Sequence, residues 1–198
     1  MIECENIDLS FEGLTIFQNF SLTIGKGDKV GISGPSGKGK TSLMKMLAGL
    51  LVPDSGKIRI NNELLGPDTV NTIRKEIAWL PQNIDLPVDS GYELAKLLDP
   101  DFRGEKVLEN FLEQLGLLPG MLHKSFTQVS GGQKQRIILA VCLNLNKSIL
   151  MLDEPTSALD TESVEKLIAT LSEMKELTVV SISHNERWLQ SCDKIVNL

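Results

Sequence analysis

A glycine-rich segment near the start of the chain, Gly34–Thr41, has the residue types and the spacing needed to bind phosphate groups. Its sequence, GPSGKGKT, fits the pattern G-x-x-x-x-G-K-[ST]. Glycines let the backbone curl so that successive N–H groups point at phosphate oxygens, and a helix that follows adds the positive end of its dipole. Lys40 could then reach the β- and γ-phosphates, and the Thr41 hydroxyl group could bind Mg²⁺. The alternative is a glycine-rich turn that binds nothing.

The sequence on either side of this loop favours phosphate binding. A short apolar strand is predicted over Lys29–Ser33, and an amphipathic helix is predicted over Thr41–Leu50. Strand, loop and helix in this order form the context that the motif requires. Lys38 is an additional cation in the loop, and it is either a solvated side chain or a source of charge near the phosphates. The candidate binding residues of this region are Gly34, Pro35, Ser36, Gly37, Lys38, Gly39, Lys40, Thr41 and Ser42.

Two carboxylates follow a second apolar run. The run Ile149–Leu152 ends at Asp153 and Glu154, and ligands of open α/β sheets bind at the carboxyl ends of strands. Asp153 would face Mg²⁺, directly or through water, and Glu154 would polarise a water molecule for attack on the γ-phosphate. An acidic loop after a strand is the ordinary alternative, but the phosphate loop upstream favours the paired interpretation.

A second segment has the composition of an anion site at a helix start. It consists of Ser130, Gly131, Gly132 and Gln133, and a long helix is predicted to follow it. A serine and two glycines at a helix N-terminus can bind an anion by the same physical logic as the first loop. Taken alone, an ordinary N-cap explains these residues as well. Because one chain has two such helix starts, we expect the second to serve the nucleotide of a neighbouring molecule.

Three single residues at strand ends or turns could complete the site. His184 ends the predicted buried strand Val179–Ser183 and could hydrogen-bond the γ-phosphate. Gln82 follows another strand, so its amide oxygen could contact Mg²⁺ or the attacking water and report nucleotide state to the region after it. For each, a packed or solvated residue is the common alternative. Phe11 lies at a predicted turn, where it either packs in the core or stacks on a purine ring.

Hydrophobic periodicity predicts the elements that position these residues. Alternating apolar and polar residues over 2–24 predict an antiparallel hairpin or meander. Strand signals give way to a helical period over 86–146, and the β-branched run 178–183 predicts a buried strand. We therefore predict an α/β fold with a parallel-strand sheet, an antiparallel N-terminal β layer and an inserted helical subdomain, approximately 86–146, within a single domain, 1–198.

The composition restricts the classes of function. The chain has 198 residues, of which 41% are hydrophobic, enough for one domain with a core. Its net charge is −6, so we do not expect a broad nucleic-acid-binding face. Apolar stretches are too short to cross a bilayer and the N-terminus lacks a signal-peptide layout, so we expect a soluble, cytoplasmic protein. Cys4, Cys142 and Cys192 lack paired-ligand spacing, and we expect buried, reduced thiols rather than a disulfide or a zinc site.

Taken together, these motifs resemble those of the nucleotide-binding subunit of an ATP-binding-cassette (ABC) transporter, over essentially the whole chain and in the family's order. The implied fold has a P-loop NTPase core. The matching segments are the Walker A loop Gly34–Thr41, the Q-loop Gln82, the signature Val129–Gln133, the Walker B residues Asp153 and Glu154, the D-loop Ser157–Asp160 and the switch histidine His184.

The resemblance implies ATP and Mg²⁺ as the bound groups and gives each candidate a role. Phe11 would stack on adenine, although the family more often has Tyr there. The implied catalytic residues are Glu154 as the general base, His184 as the γ-phosphate contact, Lys40 and Gln82; the implied metal ligands are Thr41, Gln82 and Asp153. Ser130 and Gly132 of the signature would bind the γ-phosphate of the opposite subunit, and Asp160 would lie at the dimer seam.

The resemblance also implies partners. Two ATP molecules would be held between two cassettes, identical or related, in a head-to-tail dimer that ATP binding closes and hydrolysis opens. The Q-loop and the helical region would dock on a separate transmembrane permease subunit, which would place the chain on the cytoplasmic face of the cell membrane. The sequence departs from the family pattern at Val129, where Leu is usual, and at Ala140–Leu143, where many relatives carry an arginine.

Two other functions compete with transport. A soluble ABC ATPase that acts on nucleic acid or ribosomes would usually have a coiled-coil insertion, or two cassettes with a basic linker. The gap from Lys40 to Ser130 lacks sustained heptads, and the pI is about 5.0, so we expect no nucleic-acid partner. A nucleotide-binding regulator that does not hydrolyse ATP is disfavoured because Glu154 and His184 are both present.

Overall fold

An antiparallel sheet forms one side of the molecule. The computed structural model describes residues 2–82, 86–100, 102 and 104–198. In spatial order, the strands of this four-stranded sheet are β2 (Leu14–Ile24), β1 (Ile2–Phe11), β4 (Ser55–Ile60) and β5 (Glu63–Leu64). Glu12 and Gly13 join the first two strands with φ angles of 48° and 83°, as a two-residue hairpin turn requires. The predicted N-terminal β layer is therefore confirmed.

A parallel sheet carries the segments that sequence analysis marked as functional. In spatial order its five strands are β6 (Ile77–Leu80), β7 (Ile149–Asp153), β8 (Thr178–Ile182), β3 (Lys29–Ser33) and β9 (Lys194–Asn197). Every residue of β7 and of β8 is buried, as expected for strands covered on both faces. The parallel pairing brings the carboxyl ends of these strands to one edge of the sheet.

Seven α-helices surround the sheets in the described part of the chain. They are α1 (Lys40–Leu47), α2 (Val70–Arg74), α3 (Gly91–Leu98), α4 (Glu105–Gln114), α5 (Gly131–Asn144), α6 (Thr161–Glu173) and α7 (Glu186–Gln190), with 3₁₀ turns at Pro119–His123 and Phe126–Gln128. Helix α1 ends at Leu47, not at the predicted Leu50, because Gly49 adopts a left-handed φ of 67°, which ends helices.

The helices between β6 and β7 pack mainly against one another. Leu108 and Leu112 of α4 are fully buried and belong to the same apolar cluster as Ile137 of α5. Helix α3 approaches α5 closely, since a Cβ atom at Gly91 would lie 2.4 Å from Cγ2 of Ile137. A second apolar cluster joins the two sheets to α1. Among the described residues, no helix is both apolar enough and long enough to cross a lipid bilayer.

Two of the three cysteines are buried, as predicted, whereas Cys192 is only partly buried. Cys4, Cys142 and Cys192 are free thiols, and the first two are buried. Burial raises the pKa of the Cys4 and Cys142 thiols to about 12. Since the thiolate is the reactive form, both side chains act as small apolar groups in the core.

Candidate active site

The glycine-rich loop between β3 and α1 has a backbone that its sequence dictates. Gly34, Gly37 and Gly39 have φ angles of 147°, 82° and 88°, a range that side chains disfavour. At Gly39, which is the N-cap of α1, a Cβ atom would also lie 2.5 Å from Cγ2 of Ile16. Only glycine fits this position, so the start of α1 is held at one angle to the loop.

Lys40 is the charged group at the centre of the loop. Its side chain is largely buried, and its Nζ donates hydrogen bonds to the carbonyl oxygens of Gly34 at 2.7 Å and Pro35 at 2.9 Å. An ammonium group has three donors. Two of them are used by these carbonyl oxygens, so among the described residues one donor is left for a ligand. The loop therefore curls around a cation that can still contact an anion.

A cavity of about 520 Å³ lies beside this loop and brings together segments that are distant in the chain. On the loop side it is lined by Ser36, Gly37, Gly39, Lys40, Thr41 and Ser42. On the side of the parallel sheet it is lined by Gln82, Asp153, Glu154 and His184. The predicted phosphate loop, acidic pair, strand-end glutamine and strand-end histidine thus share one cavity. Residues 83–85, which follow Gln82, lie outside the described residues.

Asp153 is a carboxylate in an environment that disfavours its charge. The residue is 5% exposed, and burial, together with the neighbouring Glu154, raises the pKa of its carboxyl group, while Lys40 and Lys45 oppose the change. Within the described residues, no hydrogen bond to this carboxylate is found. The carboxylate lines the same cavity as the Thr41 hydroxyl group and the Gln82 amide. Oxygen groups of these kinds suit a hard divalent cation.

Glu154 has an unusual backbone and a largely covered side chain. Its φ angle is 54°, which is strained for a residue with a side chain. Its N–H donates to the carbonyl oxygen of Ile182 at 2.9 Å, and its carbonyl oxygen accepts from Oγ of Ser157 at 3.1 Å. The carboxylate is 14% exposed, with Oε1 at 3.6 Å from Nε2 of His184. The left-handed backbone of Glu154 therefore places a largely shielded carboxylate next to His184.

The second candidate anion site lies elsewhere. Ser130 and Gln133 form a reciprocal capping box at the start of α5, with Oγ of Ser130 at 3.3 Å from the Gln133 nitrogen. Gly131 has open space around its Cα, whereas a Cβ atom at Gly132 would lie 2.4 Å from the carbonyl oxygen of Ala158. None of the four residues Ser130 to Gln133 is among the described residues that line the 520 Å³ cavity.

Phe11, Lys38 and Asp160, which the sequence analysis also proposed, do not line this cavity within the described part of the chain. Phe11 is 44% exposed, so it does not pack in the core, and Lys38 is exposed as well. Asp160 is the N-cap of α6 and accepts a hydrogen bond from the Ser163 nitrogen at 2.8 Å. Its hydrogen bonds with Ser163 lower the pKa of the Asp160 carboxyl group.

Sequence reasoning missed three cavity-lining residues: Ile16, Ser157 and Ile182, the last residue of β8. Ile16 of β2 lines the cavity beside the loop, where its side chain offers an apolar surface to a bound molecule. Ser157 lines it beside Glu154. Nothing in the local sequence distinguishes Ile16 from the other apolar residues of its strand, since its role depends on how the two sheets face each other. Ser157 was included only as part of a D-loop, without a role.

A glycine-rich loop around a lysine, at the strand ends of a parallel sheet that also present an acidic pair, defines a P-loop nucleotide-binding protein. The sequence profile of the family described as "ABC transporter" matches residues 17–157. The chain therefore belongs to the ABC transporter family.

Individual relatives agree with this assignment. The chain is 31% identical to the energy-coupling factor transporter ATP-binding protein EcfA1 of Leuconostoc mesenteroides, over 98% of this chain and 76% of that protein. It is 33% identical to the probable secretion/processing ATP-binding protein MchF of Escherichia coli, over 100% of this chain and 30% of that protein. The chain thus spans less than a third of MchF but most of EcfA1.

A solved structure matches the whole fold. The dimeric post-hydrolysis state of the ATP-binding cassette MJ0796, bound to ADP and Pi, superposes with a TM-score of 0.86 at 27% identity, over 100% of this chain and 94% of that one. The mixed fold with one parallel and one antiparallel sheet is thus that of an ABC cassette. The family and this hydrolysis-state neighbour identify the chain as an ATP-binding, ATP-hydrolysing cassette of the transporter class, and no comparison favours an ATPase uncoupled from transport.

Proposed function

We propose that ATP binds in the 520 Å³ cavity with its phosphates on the loop Gly34–Thr41. The observation that carries this proposal is the single cavity shared by the loop, Gln82, Asp153, Glu154 and His184. Loop N–H groups and the free donor of Lys40 would contact the β- and γ-phosphates. Phe11 is exposed and does not line the cavity among the described residues. In this proposal, the adenine ring would cover it.

Mg²⁺ fits this cavity, with Asp153, the Thr41 hydroxyl group and the Gln82 amide oxygen as its protein ligands. No group of three or more His, Cys, Asp or Glu side chains that could hold a metal occurs among the described residues. Such a sparse oxygen set suits a cation that keeps water and phosphate oxygens as its other ligands. When bound, Mg²⁺ would neutralise charge on the β- and γ-phosphates.

In the proposed reaction, Glu154 takes a proton from the attacking water. Its carboxylate is largely shielded from solvent and lines the cavity, where it can orient a water molecule in line with the γ-phosphate. His184 lies 3.6 Å away and is positioned to donate a hydrogen bond to a γ-phosphate oxygen. Lys40 stabilises negative charge that develops on the β–γ bridge and the leaving group.

We infer that the complete site needs a second cassette. Ser130, Gly131, Gly132 and Gln133 do not line the cavity of their own chain among the described residues, yet they form a capped helix start suited to phosphate. The proposal is that Ser130 and Gly132 contact the γ-phosphate bound to the opposite chain, with Asp160 near the seam. The dimeric state named for the MJ0796 cassette supports this arrangement. The proposal holds whether the second cassette is the same chain or a relative.

The remaining partner in this proposal is a separate transmembrane permease, which would hold the chain at the cytoplasmic face of the membrane. EcfA1 is named as an ATP-binding protein of a transporter, which supports such a partner. The chain would act as one ABC ATPase domain, 1–198, with 86–146 as its helical subdomain. That subdomain exposes the apolar side chains of Leu97, Leu98 and Val107, at 54%, 49% and 53%, which a partner could cover. No nucleic-acid partner is proposed.

Dilution tests the two-chain site. If each reactive site needs residues of two chains, ATP turnover per chain should fall as the protein is diluted below its dimer dissociation constant. The measurement is steady-state phosphate release over a wide range of protein concentration at saturating ATP and Mg²⁺. A rate per chain that does not change on dilution, from a species shown to be monomeric by light scattering, would exclude a role in trans for Ser130 and Gly132.

A further inference from the structure

Gln135 is a buried polar side chain that the mechanism above does not use. It lies on α5, and it is 9% exposed. Its Nε2 donates a hydrogen bond to the carbonyl oxygen of Glu154 at 3.2 Å. Its Oε1 is buried and has no hydrogen-bond partner among the described residues. A buried oxygen without a hydrogen-bond donor lowers the stability of the fold and is rare in native proteins, so a functional reason for it is expected.

The orientation of this amide is fixed by its neighbour. The Glu154 carbonyl oxygen is an acceptor only, so the NH₂ end of Gln135 must face it, and the oxygen must face away. Turning the amide over would place two acceptors against each other. The unsatisfied oxygen is therefore the consequence of directing a donor at the backbone of Glu154, the residue whose carboxylate lines the cavity.

The backbone that Gln135 contacts is strained and needs support. Glu154 has a φ of 54°, a conformation that persists only where surrounding contacts hold it. Those contacts are the Ile182 carbonyl oxygen, Ser157 and the Gln135 amide. Ile182 belongs to β8 and Ser157 to the same loop as Glu154, whereas Gln135 comes from α5, the helix that also carries Ser130 at its N-cap.

Helix α5 touches the segment 154–158 at a second point. Gly132 is one turn before Gln135 and so on the same helix face, and its Cα approaches the Ala158 carbonyl so closely that a Cβ atom would lie 2.4 Å from the oxygen. Contacts at both ends of 154–158 leave α5 little freedom to move without moving Glu154. The start of α5 and the glutamate thus behave as one unit.

We propose that Gln135 is a positioning residue for hydrolysis. It holds the Glu154 backbone so that the carboxylate is set for the attacking water, and it connects that carboxylate to the helix whose N-terminus presents Ser130. The proposal rests on the function of Glu154 proposed above. Displacement of α5 when Ser130 meets the nucleotide of the opposite chain would then move Glu154 in its own site.

The test replaces Gln135 with an apolar side chain of similar volume. Gln135→Met keeps the packing and removes both the donor and the orphaned oxygen, so the melting temperature should be unchanged or higher. Turnover should nevertheless fall, on the order of tenfold, because small misplacement of a catalytic group is expensive. KM for ATP should stay within about twofold, since no contact to the nucleotide is lost. Gln114→Met, on the exposed face of α4, is the matched control and should behave as wild type.

Several results would overturn the proposal. An unchanged kcat in Gln135→Met would do so, and so would a raised KM with unchanged kcat. A lower melting temperature with turnover restored on cooling would make Gln135 a structural residue only. Adding Gln135→Met to Glu154→Gln should leave the ATP-trapped dimer intact, and loss of that dimer would assign Gln135 to assembly instead. If Glu154→Gln alone fails to dimerise, the two-chain proposal fails, while the kcat comparison still decides the role of Gln135.

Discussion

Oε1 of Glu154 lies 3.6 Å from Nε2 of His184, and the two side chains differ sharply in exposure, at 14% and 56%. The carboxylate is largely shielded, whereas the imidazole is exposed, and both residues line the same cavity. Both side chains can therefore be reached by groups bound in the cavity, although only the imidazole is widely exposed. In the proposed reaction, Glu154 would activate the water molecule and His184 would contact the γ-phosphate.

Glu154→Gln separates ATP binding from hydrolysis. The amide keeps the size and hydrogen-bonding capacity of the side chain but cannot accept a proton, so turnover should fall by at least about 100-fold. With hydrolysis blocked, ATP should hold two chains together, and gel filtration with ATP and Mg²⁺ should show a dimer. A purely monomeric elution profile of this variant at saturating ATP would contradict the shared site.

Lys40→Ala should greatly weaken ATP binding. The substitution deletes the cation proposed to contact the phosphates, and it also removes the hydrogen bonds that Lys40 donates to the Gly34 and Pro35 carbonyl oxygens. Loss of a charge-assisted contact of this kind weakens binding by roughly 10- to 100-fold. Titration calorimetry with a non-hydrolysable ATP analogue measures it, with Lys106→Ala on the exposed face of α4 as a control for lost positive charge. Equal affinity of Lys40→Ala and wild type would show that Lys40 only shapes the loop.

Local sequence predicted the elements well because each had a strong local cause. The β-branched run 178–183 gave the buried strand β8, and the alternation over 2–24 gave the hairpin that Glu12 and Gly13 close. The motif Gly34–Thr41 is a local pattern whose glycines are required by their own φ angles. The meeting of Gln82, Asp153, Glu154 and His184 was also predictable, because parallel strands place their carboxyl ends at one edge.

What could not be predicted depends on contacts between distant elements. Ile16 rather than Phe11 lines the cavity, and this depends on how the antiparallel sheet packs on the loop. The hydrogen bond from Gln135 to Glu154 joins two elements through one side chain, and no local pattern encodes such a pair. Asp160 illustrates a further limit, since one residue can cap α6 and also be a candidate for the dimer seam.

Ser130→Arg should stop turnover while leaving ATP binding to the single chain intact. Ser130 is exposed at the start of α5 and outside its own cavity, so the bulky cation should block approach of the second chain and not entry of ATP. We expect the phosphate-release rate to fall to the level of Glu154→Gln, with calorimetric affinity for ATP within about threefold of wild type. Ser172→Arg, on the exposed face of α6, controls for the added charge. Normal turnover of Ser130→Arg would remove the signature segment from the site.

The adjacent glycines Gly131 and Gly132 should respond in opposite ways to the same substitution. A Cβ atom at Gly132 would lie 2.4 Å from the Ala158 carbonyl oxygen, whereas at Gly131 it would meet nothing within 4 Å. Gly132→Ala forces the backbone around Ala158 to move, at a cost of about 1–3 kcal/mol, so the melting temperature should drop by roughly 2–10 °C. Gly131→Ala fits the open space and gains helix propensity, so it should melt at the wild-type temperature or slightly above.

The ATP turnover of Gly131→Ala then shows whether another molecule lies against the start of α5 during hydrolysis. If the nucleotide of a second chain lies against the start of α5, the new methyl group occupies its space, and phosphate release should fall by about tenfold or more although the fold is intact. Differential scanning calorimetry and steady-state phosphate release on the two variants provide both readings. Full activity in Gly131→Ala would mean that no phosphate approaches this helix start, and wild-type stability in Gly132→Ala would mean that the contact with Ala158 is not tight.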